Sequence, residues 1–323
     1  MHEPVLLNEV IEYLNPQPGQ RFIDATINGG GHALAIIERI KPDGILMGLE
    51  WDPVIYRNFQ PNTDQPQAEK RNLILINESY TKLTQETEKH NFNNIDGILF
   101  DLGMSSWHIE ESGRGFSFMR DEPLDMRYNP TQTQETAAVI INKYPPEELE
   151  KIFKEYGEER FTRSIVKKII EVRKQKPIIR TFELTEAIRE AVPFWYQRSK
   201  IHYATRTFQA LRIAVNHELE NIKTGLKQAL DVLKNGPNGT GGRLAVITFH
   251  SLEDRIIKNF FKQQAIEGKI KILTKKPLRA SQAEMAENPR ARSAKLRIAE
   301  KNHLEIEVIS NNFQNKKLSE RLS

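Results

Sequence analysis

The segment from Arg21 to Glu50 constrains the fold of this chain more than any other. Arg21-Phe-Ile-Asp24 is a short apolar run ending in an acid, and it passes into Ala-Thr-Ile-Asn-Gly-Gly-Gly-His32. Ala33 to Ile40 then carries helical apolar spacing. Asp43-Gly44 makes a turn, and Ile45 to Leu49 is a second buried run that stops at Glu50. Strand, glycine turn, helix, strand and terminal acid form the opening unit of a doubly wound α/β sheet.

The rest of the chain extends that unit. Upstream, Val5, Leu6, Val10 and Leu14 predict a short amphipathic helix within residues 1–15. Downstream, Leu73 to Ile76 and Ile95 to Leu102 read as two more strands, and the second runs into Asp101-Leu-Gly-Met-Ser-Ser106. Then comes a long stretch without strand signal, with helices expected over Pro146 to Tyr156, Arg163 to Gln175 and Thr181 to Ala191. Phe208, Leu211, Val215, Leu219, Ile222, Leu226, Leu230 and Leu233 predict one long helix, stopped by the Gly-, Asn- and Pro-rich segment Asn235 to Gly242. Arg243 to Phe249 returns the chain to the sheet, and Lys269 to Leu273, Lys295 to Ala299 and Leu304 to Ile309 look like later strands. The expectation is a Rossmann-like unit from residues 1–106 and 203–301, a helical insertion over 107–202 and a C-terminal tail over 302–323. The insertion leaves from the carboxyl end of a strand, where ligands bind in open α/β sheets.

Composition narrows the setting. The chain has no cysteine, which removes disulfides, thiolate metal sites and cysteine nucleophiles. No run approaches the roughly 20 apolar residues that span a bilayer, and MHEPVLLNEV lacks the basic start and apolar centre of a signal peptide. A cytoplasmic protein with no membrane partner is expected. Net charge is +4, unevenly placed: from Arg255 to Ser323 there are 16 Lys or Arg against 7 Glu and no Asp. Such a C-terminal part presents a positive face to a polyanion, or simply a solvated basic surface.

Individual residues carry a functional and a plain structural reading. Asn28-Gly29-Gly30-Gly31-His32 allows backbone to approach a ligand, yet it lacks the G-x-G-x-x-G spacing of dinucleotide sites and a tight turn alone also explains it. Glu50 at a strand tip can accept hydrogen bonds from both hydroxyls of a ribose, so turn and acid together favour a nucleoside-containing cofactor. Asp101 borders the same crevice or caps its own turn; Asp24 reads as a turn cap, and His32 as a helix cap, a packing residue or a catalytic group.

Ordered motifs then identify a family. Pro4-Val-Leu-Leu, Asp24-Ala-Thr, Gly30-Gly-His32, Asp96-Gly-Ile-Leu-Phe-Asp-Leu-Gly103, Ser105-Ser106, Arg114-Gly-Phe-Ser-Phe118, Pro123-Leu-Asp-Met-Arg127 and Tyr156-Gly-Glu-Glu-Arg160 occur in sequence. Thr205-Arg-Thr-Phe-Gln-Ala-Leu-Arg212, Phe249-His-Ser-Leu-Glu-Asp-Arg255 and Asn288-Pro-Arg-Ala-Arg-Ser293 continue the series. From about His2 to Lys301 the chain closely resembles the bacterial 16S ribosomal RNA cytosine-N4 methyltransferase family (RsmH, or MraW). The resemblance implies a class I, Rossmann-like methyltransferase sheet with an inserted helical domain, using S-adenosyl-L-methionine to methylate N4 of a cytidine in the decoding region. Carried over by position, the cofactor contacts are Gly30, Gly31, His32, Glu50, Tyr80, Asp101 and His108, with Tyr80 against the adenine. The chain departs from the family pattern at Asn28, usually Gly, at Glu50, usually Asp, and at Trp107-His108, commonly Pro-Gln. Asn tolerates left-handed backbone angles.

The chemistry expected is direct transfer of a methyl group to an amine whose lone pair is delocalised into the base. Such a site positions the amine and accepts hydrogen bonds from it, and Asp101, placed where related amine methyltransferases carry their acidic loop, is the candidate acceptor. The base is unstacked to enter, with Phe116 or Phe118 as stacking partners. Arg127, Arg206, Arg212, Arg255, Arg290 and Arg292 are candidate phosphate contacts, or else pair internally with Asp125, Glu253 and Asp254. Expected partners are 16S rRNA or the small ribosomal subunit, with no metal and room for a homodimer. Two rivals stay open, an NAD-dependent oxidoreductase and a catalytically silent rRNA-binding assembly protein.

Overall fold

The computed structural model describes residues 4–59, 72–236 and 241–302. The apolar runs become parallel strands β1 (Arg21–Asp24), β2 (Ile45–Leu49), β3 (Leu73–Ile76), β4 (Gly97–Asp101) and β5 (Arg243–Thr248). Strands β6 (Ile270–Ile272) and β7 (Lys295–Lys301) complete a seven-stranded sheet of order β3-β2-β1-β4-β5-β7-β6, with β7 antiparallel to both its neighbours. This is the expected Rossmann-like α/β class. The strand expected over Leu304 to Ile309, and the tail beyond Asn302, lie outside the described residues.

Helices cover both faces of the sheet, which explains why its inner strands are apolar at nearly every position. Helices α1 (Leu7–Leu14), α2 (Gly31–Ile40), α3 (Pro53–Phe59), α4 (Leu83–Lys89) and the short α5 (Ser106–Glu110) accompany the first four strands. The insertion contributes α6 (Ala137–Lys143), α7 (Pro146–Glu155), α8 (Thr162–Gln175), α9 (Thr181–Ala191) and α10 (Phe194–Gln197). After it come α11 (Thr205–Asn216), α12 (Glu218–Val232), α13 (Ser251–Ile266) and α14 (Gln282–Glu287). One core lies between the sheet and α12 and α13, a second between its opposite face and α1 and α2, and a third inside the helical insertion.

Two expectations are corrected. The single long helix from Phe208 to Leu233 is two helices, broken at His217, whose φ is 51°. The buried Asn216 side chain accounts for the break: its amide donates to the carbonyls of Met126, at 2.7 Å, and Arg212, at 2.9 Å, while its oxygen accepts the Tyr128 N–H at 2.8 Å. Met126, itself left-handed at φ 64°, is thereby clamped. The insertion also ends later than residue 202. Ala204, Phe208, Ala210, Leu211 and Val215 of the α11 region pack in the insertion's own core, whereas Ile213 faces the sheet core. The apolar stripe is continuous along the sequence, but its two halves serve different cores.

Asn216→Ala strands the buried Tyr128 N–H and Met126 carbonyl. It is expected to cost about 1–3 kcal/mol for each orphaned group, read as a lower urea midpoint with an unchanged denaturant slope.

Candidate active site

The strand order reverses between β1 and β4, which opens a crevice at their carboxyl ends. A pocket lies there, lined among others by Thr26, Asn28, Glu50, Asp52, Tyr80, Gly103, His108, Tyr128 and Glu218. Asn28 organises its wall. With φ at 50°, it donates its N–H to Glu50 Oε2 at 2.9 Å and its side-chain amide to the Asp101 carbonyl at 3.0 Å. The left-handed geometry expected of a residue in the usual glycine position is present. Glu50 Oε1 accepts the Asp52 N–H at 2.8 Å.

Electrostatically the crevice is a store of protons. Burial pushes the Glu50 carboxyl up to about 8 and Asp101 up to about 7, Asp101 being held back by the nearby Arg290 cation. Asp24 is raised well above the carboxylate range, first by burial and then by the charges of Asp101 and Glu50. Asp101 Oδ1 is buried and has no hydrogen-bond partner. Three neighbouring acids lacking solvation stabilise a ligand that carries positive charge or hydroxyl donors, since either restores what burial removed.

The seven expected cofactor contacts divide. Glu50, Tyr80 and His108 line the pocket; Gly30, Gly31, His32 and Asp101 do not. A Cβ on Gly30 would fall inside the Phe59 ring, and one on Gly31 would lie 2.9 Å from Pro4. These two glycines therefore admit α3 and the N-terminal segment against the turn, rather than holding space open for a ligand. His32 is buried, with Nε2 3.0 Å from the Val5 carbonyl and Nδ1 3.6 Å from Asp101 Oδ2. Tyr80 meets Phe100 edge-on at 5.4 Å. His108, held neutral chiefly by burial, touches Ser105 through Nδ1 and lies 3.3 Å from Asp52 through Nε2.

The expected RNA contacts divide as well. Phe116 is buried and stacks on Tyr128 with centroids 5.4 Å apart, so it is unavailable to a base. Phe118 is already stacked on His202 at 4.5 Å. Arg127 grips Asp125 at 2.6 and 2.8 Å, and also the carbonyls of Pro130 and Thr133. Arg212 is buried against Glu218 at 2.8 and 3.0 Å. Arg127 braces the loop that opens the insertion, and Arg212 ties α11 to the start of α12. Arg206 donates to the Glu158 carbonyl at 2.6 Å, and Arg255 pairs with Glu158 Oε1 at 2.9 Å. Arg290 faces an outer cleft shared with Gly29, Ser105 and Trp107, and Arg292 is exposed. Glu253 and Asp254 do not reach the insertion's arginines in the expected way. Asp254 pairs with Lys295 and Arg297 of β7, and Glu253 caps its own helix by accepting the Phe249 N–H at 2.8 Å.

Sequence reading passed over Asp52, Tyr128, Asn216 and Glu218. Asp52 is buried and receives Arg114 Nη1 at 2.7 Å, a contact between residues 62 positions apart that no local spacing signals. Glu218, His250 and Glu253 bring metal-ligand atoms within 4.8 Å of one another. Arg212 already takes the Glu218 carboxylate, and the N–H groups of Phe249 and His250 just before α13 take Glu253.

The family model described as the MraW methylase family matches residues 1–302. The chain is 44% identical over 311 residues to "Ribosomal RNA small subunit methyltransferase H" of Syntrophotalea carbinolica, covering 92% of this chain and 96% of that protein. It is 46% identical over 302 residues to the protein of the same name from Dictyoglomus thermophilum, covering 93% and 97%. The Geobacter sulfurreducens protein of that name is 42% identical over 323 residues, covering 93% and 98%.

The packing role of the turn glycines is testable by a double-mutant cycle. Gly30→Ala combines a left-handed backbone, φ 77°, with a clash on Phe59, and is expected to lower stability by about 1–3 kcal/mol. Phe59→Ala in the same chain should return part of that loss; additive effects by denaturant titration would refute the contact.

Proposed function

The chain belongs to the MraW methylase family, and from that premise we propose that it methylates the exocyclic N4 amine of a cytidine in the decoding region of 16S rRNA. It is an S-adenosyl-L-methionine-dependent methyltransferase. The observation that carries the reading is Asn28, which ties Glu50 and Asp101 to one loop at the point where the strand order reverses.

The residues present suit the cofactor. Glu50 would accept the ribose hydroxyls, and Tyr80 would flank the adenine. Buried, partly protonated acids suit the positively charged end, and the unpartnered Asp101 Oδ1 is an acceptor awaiting a donor. When bound, S-adenosyl-L-methionine supplies a methyl carbon made electrophilic by its sulfonium.

The protein's own residues then handle the amine. Asp101 lies just behind the pocket residues Leu102 and Gly103 and outside the lining of the free protein; with the base bound, its Oδ1 would accept one N4–H, which orients the nitrogen and lets its lone pair turn out of conjugation. With a carboxyl group near 7, raised by burial, Asp101 can take the proton that the amine sheds as its new bond forms. The inserted helical unit carries the RNA.

Purified protein incubated with S-adenosyl-L-methionine and unmethylated small-subunit RNA should yield N4-methylcytidine by nucleoside mass spectrometry. A methyl group on carbon 5, or on no cytidine, would overturn the reading, and Asp101→Ala should abolish the product.

The raised Glu50 carboxyl gives a pH prediction with a definite sign. In the free protein it is protonated below about 8, whereas ribose hydroxyl donors favour the carboxylate. Cofactor binding therefore expels a proton and tightens as pH rises from 6 to 8, by up to about tenfold per unit. Glu50→Gln should flatten that dependence relative to the parent when both are followed by calorimetry. Parallel profiles would remove Glu50 from the ribose site.

A further inference from the structure

Phe194 and Trp195, in the one-turn helix α10 of the insertion, are 64% and 62% exposed. Large apolar side chains standing out of a surface together mark an interaction site more often than chance. The pair rests on a rigid base. The Trp195 ring meets Phe161 at 5.7 Å and Tyr196 at 5.9 Å, and the buried Tyr196 hydroxyl bonds both Glu159 oxygens at 2.8 and 3.1 Å.

Charge then selects the partner. The Arg198 guanidinium lies over the Phe194 ring, 4.3 Å from its centroid. Arg160 and Arg163 flank Phe161, and Lys200 follows Arg198; all four cations are exposed. Among the described residues none of the four makes an ion pair, whereas Arg180, Arg189, Lys168 and Lys176 of the same helical unit are each matched to a carboxylate. Stacking faces interleaved with unneutralised cations suit single-stranded nucleic acid, whose bases offer π-faces and whose backbone offers phosphates. A purely apolar protein partner would leave these cations uncompensated.

The platform is also connected to the crevice. Glu158, next to the residue that anchors Tyr196, accepts from Ser251 Oγ at 3.0 Å and from Arg255 Nη2 at 2.9 Å. Ser251 and Arg255 open α13 just past the carboxyl end of β5. From these contacts we infer that Phe194, Trp195 and Arg198 form a stacking platform for unpaired nucleotides flanking the methylated base. The inference rests on the RNA reading above. Binding supplies the platform's role; it takes no part in methyl transfer.

The test uses the full chain with Phe194→Leu/Trp195→Leu and, separately, Trp195→Phe. Leucine keeps the apolar surface and removes the π-face; phenylalanine keeps both. Binding is read by anisotropy with a short, unstructured, fluorescein-labelled oligoribonucleotide, and turnover with unmethylated small-subunit RNA. The double leucine variant should bind the oligoribonucleotide at least about tenfold more weakly, raise KM for RNA in proportion, and leave kcat, melting temperature and S-adenosyl-L-methionine affinity unchanged. Trp195→Phe should retain most of the binding. Parental binding by the leucine variant overturns the inference. So does a defect confined to assembled subunits, which would make the patch a protein contact, or a change in sedimentation, which would make it an interface between two copies. A parent that binds the oligoribonucleotide through this platform but methylates no rRNA would instead refute the proposed reaction.

Discussion

The pair between Asp52 and Arg114 holds the two halves of this molecule in register. Asp52 follows the second strand of the sheet and is wholly buried, while Arg114 belongs to the loop that opens the insertion. Burial alone would raise the Asp52 carboxyl, but hydrogen bonding from His108, the Val54 N–H and Arg114 outweighs it and holds it below its usual range. Arg114 also donates to the carbonyls of Arg127 and Tyr128, and its guanidinium lies 5.0 Å from the Trp107 ring centroid. Losing one member would leave the other charged and unpaired in the protein interior, a cost of roughly 3–5 kcal/mol for buried pairs. Around this pair the loop bends across the crevice and brings Tyr128 to its wall.

The crevice is built on the opposite principle. Asp52 is matched to donors and held below its usual range, whereas burial raises the carboxyls of Glu50, Asp24 and Asp101 above theirs. The same residue types thus do two jobs in adjacent positions. A carboxylate with its cation fixes architecture; a carboxyl without one waits for a ligand to supply what is missing. That contrast marks the ligand-facing end of the crevice more sharply than its shape does.

A similar sorting applies to the arginines. Arg127 and Arg212 look like Arg255 and Arg290 in the sequence, each set in a polar motif. In the fold the first two are locked to Asp125 and Glu218, while Arg255 makes an exposed pair with Glu158 and Arg290 faces the outer cleft. Four exposed cations of the insertion without an ion pair among the described residues, Arg160, Arg163, Arg198 and Lys200, lie in the segments that carry an exposed aromatic pair no motif had singled out.

The sequence by itself determined the strands, the glycine turn, the left-handed Asn28 and the acids at the strand tips. Each of these follows from interactions within a few residues: apolar periodicity, backbone sterics and turn chemistry. The family resemblance, carried over by position, named Glu50, Tyr80 and His108 together, and the fold lines one pocket with all three. Only the tertiary structure decided that Gly30 makes room for Phe59, that Phe116 is spent on Tyr128, and that one amphipathic stripe breaks at His217 to serve two cores. It alone chose the partners of Arg114 and Arg255, which lie 62 and 97 positions away. The reason is physical. Periodicity is written along the chain, whereas the partner of a charge or a ring is fixed by distances of a few ångströms that exist only once the insertion has packed against the sheet.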